Sequence, residues 1–402
     1  MTLTPLMRSA LVLGLMSAVG PFAIDMFLPA LPNIAASLDA TVAATQGTIT
    51  FYFLAFGLAQ LIYGPWADQA GRKLPIYVGL VLFLAGSIAA SLAPTITMLV
   101  WARVLQGAGA AALMVVPRAI IRDQYTGYEA TRLMALIMLV FSVSPMFAPL
   151  AGAGLIAVTG WRAIFGSMAI AAIAAIVITA TLQPETLPKE HRVAINLRTI
   201  GRGIATLLRD PVFLGLTFVG GFGMAAFFVF IASASFVYVE TFGLTPTQFS
   251  LAFTVNAMGF IGASQMAAPL MQRHGALKII LVGVSGFFTA MVFLFALALM
   301  GFASLGVIIA GLIIGFAAMG LVIPTTMVSA LDPHGDIAGL ASSLGGTLQM
   351  VAGGAMVALT GPFFDSTPTP MIGAMALCAS ITMGLLLFVL PRARRVIGAP
   401  QV

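Results

Sequence analysis

The chain of 402 residues is 60% hydrophobic and only 7% charged, and its mean hydropathy is +1.10. Soluble domains are roughly 45–50% apolar and about 25% charged, so this composition excludes an ordinary soluble domain. The formal net charge is +6, but the basic residues are scattered among separate segments, which argues against nucleic-acid binding. A single cysteine, Cys378, excludes an intramolecular disulfide and a multi-cysteine metal cluster, and we expect no metal site.

Twelve apolar runs, each long enough to cross a ~30 Å hydrocarbon core, follow one another along the chain. Hydrocarbon offers no hydrogen-bond partners to the backbone, so each run is predicted to be an α-helix. The predicted spans, numbered 1 to 12, are residues 8–31, 45–66, 74–93, 96–118, 132–157, 162–182, 212–237, 248–270, 277–298, 302–327, 337–360 and 370–391.

The basic residues predict an orientation. Of the 18 Lys and Arg residues, 16 lie on the side of the spans that holds both termini. The positive-inside rule assigns that side to the cytoplasm. The sequence therefore predicts a multi-pass membrane protein with both termini in the cytoplasm.

The longest polar break, residues 184–210, is predicted to be a linker between six-span halves at 1–183 and 211–402. It contains five cations and little apolar periodicity until about Ile200. One interpretation places an amphipathic surface helix near 195–208. Its arginines, which would face lipid headgroups, are Arg198, Arg202 and Arg209.

A polar stretch separates spans 2 and 3 and reads as a tight loop, Gly64-Pro65-Trp66-Ala67-Asp68-Gln69-Ala70-Gly71-Arg72-Lys73. We expect its glycines to permit strained backbone, Asp68 to cap a helix start, and its cations to stay on one membrane side. A degenerate copy lies 204 residues later, at 268–275, and keeps the proline, the glycine and a cation. The two halves of the chain therefore look related.

Two ionisable residues lie well inside predicted spans, Asp25 in span 1 and Arg103 in span 4. Such residues are costly in a membrane, and a functional role is the default hypothesis. At ~1.5 Å per residue their depths match, so each could offset the burial of the other. The alternatives are that Asp25 satisfies backbone groups loosened by Pro29, and that Arg103 is an architectural pin on neighbouring carbonyls.

Span 5 contains Pro145 and Pro149 followed by small residues such as Gly152. Proline removes a backbone hydrogen bond, so the span is predicted to bend at a packed interface. Such a bend suits a hinge or a seal, and the alternative is a static kink. Other residues are candidates to line a cavity, although core or lipid contact is the alternative for the aromatic ones. They are Gln106, Asn256, Gln349, Phe230 and Tyr238.

Together these residues resemble the major facilitator superfamily. The stretch from Gly64 to Lys73 is similar to its loop signature, and Arg103 to Ala111 is similar to its fourth-helix signature. Residues 148–154 are similar to a reduced antiporter signature. The sequence Asp25-Met26-Phe27-Leu28-Pro29-Ala30-Leu31-Pro32 resembles the first-helix motif of the Bcr/CflA drug:H⁺ antiporters, and the start of span 11, residues 336–343, is also similar.

The resemblance implies an all-α membrane protein of twelve helices in two pseudo-symmetric six-helix bundles around a central cavity. It implies that Asp25 exchanges a proton and influences the substrate while Arg103 responds to its charge. A cytoplasmic gate would comprise Gly64, Asp68, Gly71 and Arg72. An antiporter-type hinge would comprise Pro145, Pro149 and Gly152.

The sequence thus predicts a monomeric, proton-coupled exporter of lipophilic drugs such as amphenicols or bicyclomycin-like compounds, with the proton as coupling ion and no other cofactor. The alternative is an exporter of a native metabolite, such as a sugar or amino-acid derivative. An enzyme is disfavoured because no predicted span contains a His or a cluster of catalytic groups. A channel is disfavoured because no ring of like charges or repeated filter sequence is seen.

Overall fold

The computed structural model describes residues 5–125, 127–192 and 196–397. Fourteen α-helices lie within these ranges. The first seven are α1 (Pro5–Asp25), α2 (Leu31–Ser37), α3 (Val42–Ala70), α4 (Lys73–Ser91), α5 (Ile96–Gln124), α6 (Gly127–Thr159) and α7 (Arg162–Leu182). The others are α8 (Leu197–Arg209), α9 (Pro211–Phe236), α10 (Pro246–His274), α11 (Ala276–Leu299), α12 (Leu305–Leu331), α13 (Ala338–Thr360) and α14 (Pro368–Ile397).

The all-α membrane architecture is confirmed. Ten segments of the described chain are helical, long and apolar enough to cross a membrane, and one of them, Leu305–Phe363, contains both α12 and α13. Helix α6 adds a shorter apolar stretch, Val143–Thr159. Large apolar side chains point outward, and Ile62 and Trp101 are each 65% exposed. Such outward apolar surface is suited to lipid contact.

The first span is not one continuous helix. Helix α1 ends at Asp25, a 3₁₀ turn occupies Leu28–Ala30, and α2 begins at Leu31. Pro29 and Pro32 fall at the starts of the 3₁₀ turn and of α2, where a proline costs no intrahelical hydrogen bond. Asp25 therefore lies at a helix end and not in a helix interior.

The predicted ten-residue loop between spans 2 and 3 is wrong. Helix α3 continues to Ala70, so Gly64 and Asp68 are helical and only Gly71 and Arg72 connect α3 to α4. Gly71 has φ +94° and ψ 172°, a conformation that is essentially restricted to glycine. The expectation that Asp68 caps a helix start is also wrong, because Asp68 lies in the last turn of α3.

Short polar side chains mark the starts of several helices. Thr41 Oγ1 accepts a hydrogen bond from an N–H in the first turn of α3 at 3.2 Å, and Thr95 does the same for α5 at 3.3 Å. Asp210 Oδ1 accepts the N–H of Val212 at 2.7 Å and caps α9. These groups satisfy donors that a helix start leaves without a partner.

The chain divides into two compact units, residues 1–196 and 197–402. Within the first unit, α5 packs along α3 and α4, α4 packs along α7, and α1 packs along α5, α6 and α7. Within the second unit, α12 packs along α10 and α11, α11 packs along α14, and α9 packs along α12, α13 and α14. The six pairings correspond one to one, so both units are built on the same six-helix plan.

Candidate functional site

Asp25 is the last residue of α1 and is only 5% exposed. Ser144, a fully buried residue of α6, donates a hydrogen bond from Oγ to Asp25 Oδ2 at 3.0 Å. A hydroxyl can donate to a carboxylate and can also accept from a protonated carboxyl. The contact can therefore be made in both protonation states of Asp25, with the direction of donation reversed.

Helix α6 also makes backbone contact with the residue that follows Asp25. A Cβ atom added at Gly152 would collide with the carbonyl oxygen of Met26, so only glycine permits this approach. Ser144 and Gly152 are eight residues apart, which corresponds to ~12 Å along the helix. Both Pro145 and Pro149 lie within that interval. The proline-containing part of α6 thus packs directly against the broken end of α1.

Arg103 of α5 is 1% exposed, and its hydrogen bonds go to oxygen atoms of uncharged groups. Nη1 donates to the carbonyl oxygen of Ala23 at 3.0 Å and to Gln106 Oε1 at 2.9 Å, and Nε donates to the carbonyl oxygen of Thr48 at 3.4 Å. Helix α1 ends two residues after Ala23, and carbonyls in a last helical turn lack intrahelical partners. Arg103 therefore satisfies a carbonyl that the break in span 1 leaves available.

Two aromatic rings complete the surroundings of the guanidinium group. Arg103 Cζ lies 4.7 Å from the ring centroid of Phe27 and 4.3 Å from that of Tyr52. The Tyr52 hydroxyl donates to the carbonyl oxygen of Gly20 at 3.3 Å. Cation–π contacts and carbonyl dipoles stabilise a buried positive charge without a carboxylate.

Asp25 and Arg103 do not form an ion pair within 4 Å in the described structure. They are brought to the same helix end, since Arg103 binds the backbone of Ala23, two residues before Asp25. The direct pairing expected from their depths is therefore absent in this conformation. The hydrogen bonds of Arg103 to carbonyls match the alternative of an architectural pin.

Gln106, a candidate cavity residue, is fully buried next to Arg103. Its Oε1 accepts from Arg103, while its Nε2 donates to Ser87 Oγ at 2.8 Å and to Met168 Sδ at 3.7 Å. This chain of contacts joins α5 to α4 and α7. Gln106 thus holds Arg103 in position through its contacts with α4 and α7.

A second charged cluster lies where α3 meets α4. Arg72 donates to Asp123 through Nε (2.7 Å to Oδ2) and Nη2 (3.1 Å to Oδ1), and to Asp68 Oδ1 through Nη1 (2.6 Å). Burial alone lowers the pKa of Arg72, but the hydrogen bonds and charges of Asp123 and Asp68 raise it above its ordinary value. The bidentate contact joins the end of α3 to the end of α5.

Glu185, just beyond α7, binds the start of α4. Its Oε1 accepts the backbone N–H of Arg72 at 2.9 Å, and its Oε2 accepts that of Lys73 at 3.2 Å. Burial alone raises the pKa of Glu185, but backbone hydrogen bonds from Arg72, Leu187, Lys73 and Thr186 lower it below its ordinary value. Glu185 thus performs at α4 the capping role that was expected of Asp68.

The two glycines of the loop signature have different surroundings. A Cβ at Gly71 would lie 2.6 Å from Glu185 Oε2 and 2.7 Å from Arg192 Nη2, whereas a Cβ at Gly64 would meet nothing within 4 Å. Gly71 is therefore required by both its backbone conformation and its neighbours. No such requirement is found for Gly64.

The candidate residues of the second unit fall in two places. Asn256 Nδ2 donates to the Tyr238 hydroxyl at 3.4 Å, while its buried Oδ1 has no hydrogen-bond partner in the described chain. Phe230 stacks on Phe253 at 5.6 Å and meets Tyr238 edge-on at 6.4 Å. Gln349, in contrast, lines a small open cleft between α9, α12 and α13.

Sequence reasoning missed Ser144, Asp123 and Glu185. Ser144 precedes Pro145 directly, but its significance depends on α1 ending opposite it. Asp123 and Glu185 are acidic residues just inside or beyond span ends, among many cations. Other acids share the same set of predicted loops, such as Asp68 and Glu190, so no sequence signal distinguished Asp123 and Glu185 from them.

Comparisons with known proteins agree with this arrangement. A sequence profile of the Major Facilitator Superfamily matches residues 13–358. The uncharacterized MFS-type transporter YdgK of Bacillus subtilis is 31% identical over 96% of each chain. The bicyclomycin resistance protein homolog of Haemophilus influenzae is 28% identical over 93% of this chain and 94% of its own. The crystal structure of a D-xylose–proton symporter, at 14% identity, superposes with a TM-score of 0.75 over 94% of this chain and 97% of its own.

Proposed function

The chain belongs to the Major Facilitator Superfamily and is similar to drug-resistance transporters of the Bcr/CflA type, and we propose that it exports lipophilic drugs in exchange for protons. The transporter class is given by the family. Proton exchange, the direction of transport and the kind of substrate are the proposal. We also propose that the protein is a monomer in a bacterial inner membrane, as its similarity to bacterial transporters suggests. Both termini are proposed to lie in the cytoplasm, because 16 of 18 cations lie on one side of the spans.

The observation that carries the proposal is the buried carboxyl group of Asp25 at the broken end of α1. A charged carboxylate is costly in a buried site, and binding a proton removes that cost. Asp25 is hydrogen-bonded to the hydroxyl of Ser144, and no cation of the described residues lies within 4 Å of its carboxyl group. Asp25 is therefore a group whose proton occupancy depends on how α1 and α6 surround it.

We propose that α6 links this proton to alternating access. Ser144 and Gly152 contact Asp25 and Met26 from the same helix, so a movement of α6 would alter the hydrogen bond and the exposure of the carboxyl together. If the outward-facing and inward-facing states bind the proton with different affinity, the proton gradient favours one state. A substrate that competes with the proton would then be driven outward.

Arg103 is assigned a positioning role in this scheme. By holding the Ala23 carbonyl, it fixes the last turn of α1 just before Asp25. A neutral replacement would leave buried carbonyl groups without donors and would loosen this turn. The family resemblance implies that Arg103 responds to the charge of Asp25. For such a response, the last turn of α1 would have to move and bring Asp25 closer to Arg103.

The cluster around Arg72 is proposed to stabilise the cytoplasmic end of the first unit. Its bonds join α3, α4, α5 and the segment after α7 through Asp68, Asp123 and Glu185. Breaking them would be required before these helix ends could separate. Gly71 and Arg72 thus belong to the proposed gate, whereas Gly64 has no direct part in these contacts.

The substrate class is inferred from a cluster of aromatic and amide side chains in the second unit. Phe230, Tyr238 and Asn256 combine aromatic rings with a buried amide oxygen that has no partner in the described chain. All three are buried in this conformation; exposed in another state of the transport cycle, they would suit an apolar molecule carrying a hydrogen-bond donor. The name of the Haemophilus relative supports bicyclomycin-like compounds as the first substrates to test.

The test is efflux of a drug panel, including bicyclomycin and an amphenicol, from cells with and without a protonophore. We expect energised efflux that the protonophore abolishes and that Asp25→Asn eliminates. The matched control is Asp39→Asn, because Asp39 is exposed and its positive φ of 48° is readily adopted by asparagine.

Unchanged efflux in Asp25→Asn, with normal efflux in the control, would remove Asp25 from proton coupling. Efflux of no member of the panel, together with protonophore-sensitive export of a sugar or amino-acid derivative, would instead favour the native-metabolite alternative.

A further inference from the structure

Helix α8 has an arginine face that no function assigned above uses, and we propose that this face binds anionic phospholipid headgroups. The helix begins at Leu197 and ends at Arg209. At about 100° per residue, Arg198, Arg202 and Arg209 fall within ~40° of one another around the helix axis. Three cations thus form one row along a helix of ~20 Å.

The opposite side of α8 packs on the second unit. Leu207 is fully buried, and a Cβ at Gly203 would contact Leu340 Cδ2 of α13. Both residues lie roughly 100–180° from the arginine row. The helix is therefore held by this side, and its arginines are directed away from the protein core.

A third side of α8 is apolar and exposed. Leu208 is 45% exposed and lies between the arginine row and the half-buried Ile204. An exposed apolar strip beside a row of cations is the pattern of a helix that lies in the membrane interface, where the strip enters the acyl boundary and the cations meet phosphates. A soluble nucleic acid would satisfy the cations but not the strip.

Two cations of this row, Arg202 and Arg209, are available to a ligand. The guanidinium groups of Arg202 and Arg209 have no hydrogen-bond or ion-pair partner among the described residues. The acid next to Arg209 in sequence, Asp210, is engaged by His334 Nε2 at 2.8 Å and by the N–H of Val212. Arginine binds phosphate oxygens through two parallel N–H donors, which suits a phosphodiester headgroup.

The position of α8 puts this row at the membrane surface. The membrane-spanning helix α9 begins at Pro211, two residues after Arg209. The arginine row therefore ends where a span enters the bilayer. Anionic lipids of the cytoplasmic leaflet attract cations near that surface, and the effect weakens as salt is added.

The test measures lipid contact and not transport, so it is independent of the proposed drug export. Cys378 is the only cysteine, so Cys378→Ala allows a fluorescent probe to be attached at Leu208→Cys in the full chain. The labelled protein is placed in nanodiscs containing brominated phosphatidylglycerol or brominated phosphatidylcholine at equal mole fraction. Bromine quenching then gives the association constant of each lipid relative to the other.

We expect stronger quenching by phosphatidylglycerol, and weaker preference at high salt. Arg202→Gln with Arg209→Gln should reduce the preference by up to about fivefold for each arginine. The matched control is Arg273→Gln with Lys278→Gln, which removes the same charge from exposed positions of the same unit. The control should keep the preference of the starting protein.

The proposal is overturned if the probe is quenched by neither lipid, because the face then does not meet the bilayer. It is also overturned if the two lipids quench equally, or if both double variants lose the preference to the same extent. Thermal unfolding of each variant in detergent verifies that the fold is retained.

Discussion

Replacement of Gly71 by alanine tests the contact between the α3–α4 turn and Glu185. Gly71→Ala would place a methyl group in a backbone conformation that only glycine adopts readily, at a cost of about 1–3 kcal/mol. The same methyl group would lie 2.6 Å from Glu185 Oε2 and would displace the carboxylate from the N–H groups of Arg72 and Lys73. Because Glu185 is exposed, each of these hydrogen bonds contributes only about 1 kcal/mol.

Gly275 offers a matched control in the second unit. It ends α10 with φ +82° and ψ 148°, and a Cβ there would meet nothing within 4 Å. Gly275→Ala should therefore show backbone strain alone. Gly71→Ala should exceed it by about 1–2 kcal/mol, the loss of the Glu185 contact, which corresponds to roughly 2–8 °C in Tm for a unit of this size.

The assay is thermal unfolding of the purified protein in detergent, followed by loss of the helical circular dichroism signal. Gly64→Ala is a second control, and it should raise Tm slightly, because alanine is favoured over glycine inside a helix by about 0.5–1 kcal/mol. In a Glu185→Ala background, Gly71→Ala should lower the free energy of unfolding by no more than Gly275→Ala does in the native sequence. The other neighbour of the new methyl group, Arg192 Nη2, is the end of a long side chain that can move away.

Equal losses for Gly71→Ala and Gly275→Ala would refute the assignment of Glu185 as the group that binds the start of α4. A larger loss for Gly64→Ala than for Gly71→Ala would refute the division of roles between the two glycines.

Three further predictions concern single residues. Glu185→Gln should lower Tm at neutral pH, because the pKa of Glu185 is depressed in the folded protein. The stability that the Glu185 carboxylate contributes is present above about pH 4.5 and is lost as the pH falls through the pKa of the folded protein. The Tm values of the native protein and the variant should therefore converge in acid. Gly152→Ala would push α6 away from Met26 and should impair transport. Gly154→Ala should not, because a Cβ atom there meets nothing within 4 Å. Equal transport rates of the two variants would contradict the close packing of α6 on Met26. Arg103→Lys places its donors on a single nitrogen atom, which cannot reproduce the separate contacts of Nε with Thr48 and of Nη1 with Ala23 and Gln106. Membrane insertion by fractionation should be normal while efflux is lost, and normal efflux would show that a single positive charge suffices.

The turn around Gly71 shows how far local sequence patterns can be taken. The glycine, the cations and the polar break predicted a connection between two spans, and a connection is present at Gly71 and Arg72. The pattern could not show that α3 continues to Ala70 past Pro65, or that the acid serving α4 comes from Glu185. That contact joins residues more than 110 positions apart, and no local pattern encodes it.

For the buried charges of Asp25 and Arg103, too, the sequence predicted one part and the structure decided another. Their rarity within apolar spans identified both as important, since an unnecessary charge in hydrocarbon is costly. Equal depth predicted a direct ion pair, but depth says nothing about the direction in which each side chain leaves its helix. The structure directs Asp25 to Ser144 and Arg103 to the Ala23 carbonyl.

Twelve helical spans and two related halves are determined by the sequence itself, because hydrocarbon requires each apolar run to satisfy its own backbone hydrogen bonds. The break of the first span, the partner of each buried charge and the glycines that are required were decided only by tertiary structure. These features depend on which helices pack together and on side-chain direction within a shared interface. Both are set by contacts between segments that are distant in sequence.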